Sequence, residues 1–278
     1  MQICSFLPSA TEILYALGLG DSVAGVTFEC DFPPGGGEEE HCGDTNLAHG
    51  LPSAEIDNTV NDNSAHREGL YRIDIEKLEA LKPDLVVTQE LCDVCAISTS
   101  QVAKAVHRLS SKPQVLSLTP HTLDDVLKDI LRVGEATYRD VEARALVSSL
   151  RERIAKVGRR TKLLKPTVVC LEWLSPPFNG GHWIPEMIDL AGGVDPLGKL
   201  GKDSYRMEWD QALRVDPDVV LVMPCGHNLE RSVAEWVRRF PYVCQESIIR
   251  VKDTGAYSIT FLLFSKRLAP RAVLDRMH

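Results

Sequence analysis

The sequence predicts an α/β fold of two lobes with central parallel sheets, one long helix between them and a ligand cleft at their junction. Three observations carry this prediction. Short runs rich in Val, Ile and Leu alternate with helical patterns along the chain, the signature of strands buried on both faces of a parallel sheet. The same strand entry occurs once in each half: Leu81-Lys82-Pro83-Asp84 precedes Leu85-Val86-Val87, and Val215-Asp216-Pro217-Asp218 precedes Val219-Val220-Leu221. In both, the proline ends a helix and the chain passes directly into a strand. Between the halves runs a polar helical stretch from Thr122 to about Arg160, in which Val141, Ala145, Ser148 and Ile154 recur at helical spacing. About 20 helical residues span about 30 Å, enough to bridge two lobes. The expected division is a first lobe over 1–121, a connecting helical segment over 122–160 and a second lobe over 161–278.

Taken in order, the apolar runs predict strands over 3–7, 23–28, 85–89, 115–118, 167–171, 219–223 and 248–251. Helices are expected over 10–17, 75–81, 102–109, 185–191, 207–213 and 232–240. Ser9-Ala10-Thr11-Glu12 fits a capping box at the start of the first helix, which makes Ser9 a cap rather than a nucleophile. The stretch from Gly35-Gly36-Gly37 to about His66 is polar and irregular and reads as a surface excursion. The apolar segment over 259–264 is strand-sized.

The chain has 39 Asp+Glu against 31 Lys+Arg, a formal net charge of -8, which argues against a nucleic-acid binder. Its 278 residues suffice for a full core without disulfides or a structural metal. No run of about 18 apolar residues occurs, so no membrane span is expected. The opening MQICSFLPSATEIL has neither a basic segment nor the apolar stretch of a secretory signal, and the eight cysteines then read as reduced thiols of a cytoplasmic protein, the alternative being a periplasmic one trimmed from a precursor.

Ligands of open parallel sheets bind beyond the carboxyl ends of the strands. Glu29 and Cys30 follow the second strand, and Cys92 and Cys95 follow the third. Glu172, Trp173, Phe178, His182 and Trp183 follow the fifth, while Cys225 and His227 follow the sixth. So many Cys, His, Glu and Trp residues at one sheet edge mark a cleft. The pair Cys92/Cys95 has three readings: small buried residues, a redox pair, or half of a zinc site completed through the fold by Cys30, Cys225 and a histidine. Soft thiolates there would select zinc or iron. Cys4, Cys170 and Cys244 lie in or beside apolar runs and read as core, whereas Cys42 sits in the polar insert and reads as exposed. His182, between Gly180-Gly181 and Trp183, reads either as a ligand contact or as the cap of the helix opening near Pro185. With only 6% aromatic residues overall, the loop carrying Trp173, Phe178 and Trp183 suits a large, flat, partly apolar ligand. No dinucleotide-binding, P-loop, serine-hydrolase or zinc-protease motif occurs.

The run ICSFLPSATEILYALGLGDSVAGVTFECDFPP resembles the start of class III substrate-binding proteins of ATP-driven (ABC) importers, which handle cobalamin, haem and iron–siderophores. LKPDLVVTQELCDVCAIS, LEWLSPPFNGGHWIPEMIDLAGG and PDVVLVMPCGH are similar to a cysteine-containing, cobalamin-binding branch, and the resemblance covers roughly residues 1–255. It implies two Rossmann-like lobes joined by a single long backbone helix, with a small-molecule ligand in the cleft and no catalysis. Cobalamin or another tetrapyrrole is the implied ligand. Glu29 and Phe178 are the residues it sets near the cleft, and an importer is the implied partner if the chain is exported. The alternative from the residues is a metal–thiolate protein or a thiol-dependent enzyme on the same scaffold, with Cys30, Cys92, Cys95, Cys225 and His227 as the metal set.

Overall fold

The computed structural model describes residues 1–30, 33, 39–47, 50–66, 71–89, 99–159, 165–241, 248–251 and 261–265. Its first sheet is built around β1 (Ile3–Ser5), flanked by β2 (Val23–Thr27) on one side and β5 (Leu85–Gln89) on the other. Beyond them lie β3 (Glu40–Thr45) and β6 (Gln114–Leu118), all parallel, with β4 (Tyr71–Ile73) as an antiparallel edge on β3. Every residue of β1 and β5 is buried, as the unbroken apolar runs require.

Helices cover both faces. On one, α1 (Pro8–Ala16), α5 (Leu123–Ala136) and α6 (Asp140–Arg159) pack Leu14, Ile130, Val133 and Val147 against Ile3, Val23, Leu85 and Val87. On the other, α3 (Ile75–Leu81) and α4 (Thr99–Arg108) set Leu78 and Val102 against Cys4, Phe6 and Val86. Each fully buried aliphatic side chain contributes about 1.5–3 kcal/mol, so these two layers hold the lobe without cross-links. The expected cap at Ser9 is not the one used. Helix α1 starts two residues earlier, with Pro8 in its first turn and Leu7 at the cap position, because proline's fixed φ suits that place.

The polar insert differs most from expectation. Residues 40–45 form a sheet strand and α2 (Ser53–His66) follows, so the segment is not a mere surface excursion. Cys42, expected to be exposed, is fully buried beside Cys4. The two thiols face each other across Gly25, where a Cβ would stand 2.8 Å from Cys42 Sγ and 3.1 Å from Cys4 Sγ. Glycine there makes the room that both sulfurs occupy.

The helical stretch over 122–160 is two helices. Thr122 and Asp125 form a reciprocal capping box that starts α5, and a turn with Tyr138 at φ 58° reverses the chain into α6. The pair is antiparallel: Gly134 meets Ala143 near the turn, and Arg151 Nη2 reaches Asp124 Oδ1 at 3.4 Å near the other end. The 20-residue α6 then leads into the second sheet, about 30 Å from where it began.

That sheet has the order β10-β11-β9-β7-β8, from β7 (Val168–Leu174), β8 (Pro177–Asn179), β9 (Val219–Val222), β10 (Ile248–Val251) and β11 (Phe261–Ser265). Strands β7 and β9 are parallel, and the remaining pairings are antiparallel. Val169 and Leu171 face α8 (Trp209–Arg214) and α9 (Leu229–Arg239), where Trp209, Trp236 and Phe240 cluster. Val168 and Cys170 face α7 (Ile184–Leu190). Cys170 is core, as expected; Cys244 lies outside the described residues.

Candidate functional site

The carboxyl ends of β2 and β9 meet. Glu29, two residues past β2, is half-buried, and a Cβ on Gly226 would stand 3.8 Å from its Oε1. Gly226 adopts φ +69°, which turns the chain after β9 and sets His227 inward. His227 is 3% exposed, and its ring lies 5.1 Å from that of Trp173 at the end of β7. Neither ring nitrogen has a hydrogen-bond partner among the described residues. Burial, and secondarily the Arg231 guanidinium, bring its pKa down to about 4, while Glu235 opposes them. His227 is therefore a neutral imidazole with two unsatisfied nitrogens, an arrangement that costs about 1–3 kcal/mol per buried group.

Around it the predicted residues are sorted by their partners. Phe178, half-buried in β8, pairs with Trp173 across the hairpin. Glu172 points to the opposite face of β7, where its Oε1 accepts the Gly181 N–H at 2.9 Å. Burial pushes its carboxyl pKa up, against the hydrogen bonds from Gly181 and Ser204. Its carboxylate thus fixes the 180–182 loop, and its backbone carbonyl accepts the Cys225 N–H at 3.2 Å. Trp183 packs half-buried against the α7 side of the second sheet and occupies the cap position of α7 without a side-chain cap. The capping role considered for His182 is accordingly absent.

Of the predicted metal set, only Cys30, Cys225 and His227 lie among the described residues, and these three do not gather. Cys30 Sγ lies 3.1 Å from Thr11 Oγ1 and 3.5 Å from Thr27 Oγ1 inside the first lobe. Burial pushes its thiol pKa up against those bonds, which favours the protonated form. Cys225 is exposed. Cys92 and Cys95 lie outside the described residues. Among the described residues, Cys30, Cys225 and His227 enter no group of three ligand atoms.

The group that does gather was not singled out from sequence as a set: His121, His182 and Asp203, with one ligand atom from each mutually within 4.8 Å. His182 Nε2 lies 3.4 Å and His121 Nδ1 3.7 Å from Asp203 Oδ1. His182 is held at φ 53°, its N–H donating to Lys202 O at 2.6 Å and its carbonyl accepting the Gly201 N–H at 3.0 Å. Gly181 allows this approach, since a Cβ there would fall 2.3 Å from Ser204 N. Burial lowers the His182 pKa, Asp203 raises it and His121 lowers it.

Two polar seams join the lobes on either side of this region. At one, Leu123 N–H donates to Glu186 Oε2 at 2.9 Å, beside the His121–His182–Asp203 group. At the other, the insert docks on the second lobe. Buried Glu235 accepts from Ser53 N at 3.3 Å and also from Ser53 Oγ. Arg231 donates to Leu51 O at 2.5 Å, and Arg206 lies 3.7 Å from Asp57. Partners 63 to 182 residues apart leave no periodic or motif signal, so these seams were not legible in the sequence.

Comparison with known proteins fits this architecture. A model of the periplasmic binding protein family matches residues 3–235. An uncharacterised ABC transporter substrate-binding lipoprotein of Bacillus subtilis (strain 168) is 30% identical over 165 residues, 59% of this chain and only 42% of that protein. The vitamin B12-binding protein of Vibrio parahaemolyticus is 20% identical over 244 residues, covering 86% of this chain and 77% of that protein. Among solved structures, a periplasmic heme-binding protein from Roseiflexus sp. RS-1 in apo form superposes with a TM-score of 0.63 at 22% identity, over 85% of this chain and 81% of that one. The likeness establishes the fold.

Relatives that are lipoproteins or periplasmic point to an extracytoplasmic location and overturn the cytoplasmic expectation. The thiols misled because Cys4, Cys42 and Cys170 are free and sealed in the core. A thiol packed in that way is compatible with either compartment. The family model spans the first sheet, the helices after it and strands β7, β8 and β9 of the second, and the chain belongs to the periplasmic binding protein family.

Proposed function

We propose that this chain is the substrate-binding protein of an ABC importer and holds a corrinoid or another tetrapyrrole, or a metal complex of that size, between its lobes. The observation that carries the reading is His227: a neutral, sealed imidazole with no partner for either nitrogen among the described residues, tilted against Trp173 where Gly226 of the second lobe meets Glu29 of the first. Such a group gains partners when the lobes part and a ligand or water enters. Trp173 and Phe178 would offer apolar faces to a macrocycle, and Glu29 and His227 polar contacts from opposite sides. Glu172 would act through the 180–182 loop that its carboxylate fixes, with His182 and Trp183 on that loop at the rim.

The division into lobes over 1–121 and 161–278 with a connector over 122–160 is supported by the two separate sheets and by the helix pair between them. The hydrogen bonds and ion pairs at the seams can be exchanged for water at small net cost, which suits a cleft that opens and closes. The protein as purified, titrated separately with cobalamin, cobinamide and haem, is expected to bind at least one at a single site, with quenching of tryptophan fluorescence. Three silent titrations would refute the tetrapyrrole reading.

A further inference from the structure

We propose that His121, His182 and Asp203 form a binding site for a divalent cation of the zinc class, ligated from both sides of the lobe junction. It goes beyond the ligand assignment above and does not depend on it. Two imidazole nitrogens and one carboxylate oxygen are a donor set for Zn²⁺ and its borderline neighbours; Mg²⁺ and Ca²⁺ want all-oxygen shells. Zinc–nitrogen bonds of about 2.0–2.1 Å put tetrahedral ligand atoms about 3.4 Å apart. The two separations from Asp203 Oδ1 are 3.4 and 3.7 Å, and the whole set lies within 4.8 Å, so small side-chain rotations close the site.

The backbones beneath the three ligands are fixed independently of a metal. His182 is pinned to Lys202 and Gly201, and Gly181 gives the Asp203–Ser204 backbone its close approach. On the other side, the His121 N–H donates to Asp125 Oδ2 at 3.3 Å, the same oxygen that accepts from Thr122 in the α5 capping box. Preformed backbone positions are what a three-ligand site needs to avoid a large ordering cost on binding. Three protein ligands leave a fourth position open to water or to a donor on a bound molecule.

The topology gives the site a mechanical consequence. His121 follows β6 of the first sheet, whereas His182 and Asp203 belong to the second lobe. A cation held by all three ties the lobes together beside the Leu123–Glu186 contact. Bound cation therefore stabilises the arrangement in which the lobes meet and opposes their separation at this edge.

The test uses the full chain stripped with a chelator and titrated with Zn²⁺ by calorimetry, and with Co²⁺ by visible absorption. One equivalent of zinc is expected, with a tetrahedral Co²⁺ spectrum free of thiolate charge-transfer bands. His121→Ala and Asp203→Asn, both at exposed side chains, should each weaken binding at least about 100-fold, more than loss of an outer-shell partner does. Circular dichroism of each variant establishes that it is folded. Zinc binding unchanged in both variants, a thiolate-type Co²⁺ spectrum, or no binding by the unmodified chain would overturn the proposal.

Discussion

His227→Phe isolates the central histidine's contribution to stability and its pH dependence. Phenylalanine keeps a ring against Trp173 and removes both unpartnered nitrogens and the titration. The folded-state pKa is about 4 against an ordinary 6.5, so below pH 6.5 the unfolded chain takes up a proton that the folded chain refuses. The unfolded state binds more protons throughout that window, and stability rises with pH. The histidine's contribution is therefore complete above pH 6.5 and is lost as pH falls toward 4. A gap of that size is worth about 3 kcal/mol when fully developed, and about 2 kcal/mol of it is lost between pH 8 and pH 5. Other buried groups titrate too: burial raises Glu172, Asp129 and Asp195, with opposite slopes, and lowers His182, with the same slope. The difference between the unmodified chain and His227→Phe removes them. Urea unfolding of both proteins at pH 8, 6.5 and 5 should show a gap that shifts by about 2 kcal/mol in favour of the variant at low pH. Parallel pH profiles would show that His227 is hydrated or partnered in solution and would refute the reasoning.

Three further predictions follow from named contacts. Trp173→Ala should weaken tetrapyrrole binding at least about tenfold by removing one stacking face and most of the fluorescence quenching, read by titration; undiminished affinity would move the ligand elsewhere. Glu235→Gln should cost about 1–3 kcal/mol and raise hydrogen exchange over residues 50–62, because a carboxylate accepting from both Ser53 groups is lost; unchanged exchange would show that the insert does not dock through it. Gly181→Ala places a Cβ 2.3 Å from Ser204 N and should lower stability by about 1–3 kcal/mol in denaturant unfolding, whereas an unchanged midpoint would mean the loops are farther apart.

Burial pattern explains what the sequence disclosed. Strands β5 and β9 were legible because their aliphatic runs follow proline-containing entries. Strand β3 was not, because Glu-His-Cys-Gly-Asp-Thr buries only Cys42 and Gly43, exposes Glu40, His41 and Asp44 and half-buries Thr45. Helix α2 hid for the same reason: Ser-Ala-Glu-Ile-Asp-Asn-Thr-Val offers few apolar positions, and it is held largely by polar contacts with the second lobe. The break between α5 and α6 depends on a left-handed Tyr138, which no glycine or proline announces. At the site, strand-end reasoning singled out Glu29, Trp173 and His227, which lie at or just past the ends of β2, β7 and β9. The ligand grouping it offered differs from the one that gathers among the described residues. Cys30 is turned to its own lobe's threonines, while His182 finds His121 and Asp203 through loop geometry that spacing does not encode.

Hydrogen exchange of the chain with and without saturating tetrapyrrole tests the interlobe site most directly. Protection is expected in both lobes at once, over residues 27–30 at the end of β2 and 223–228 after β9, with little change at α4 and α8. Protection confined to one lobe, or centred away from both strand ends, would contradict it.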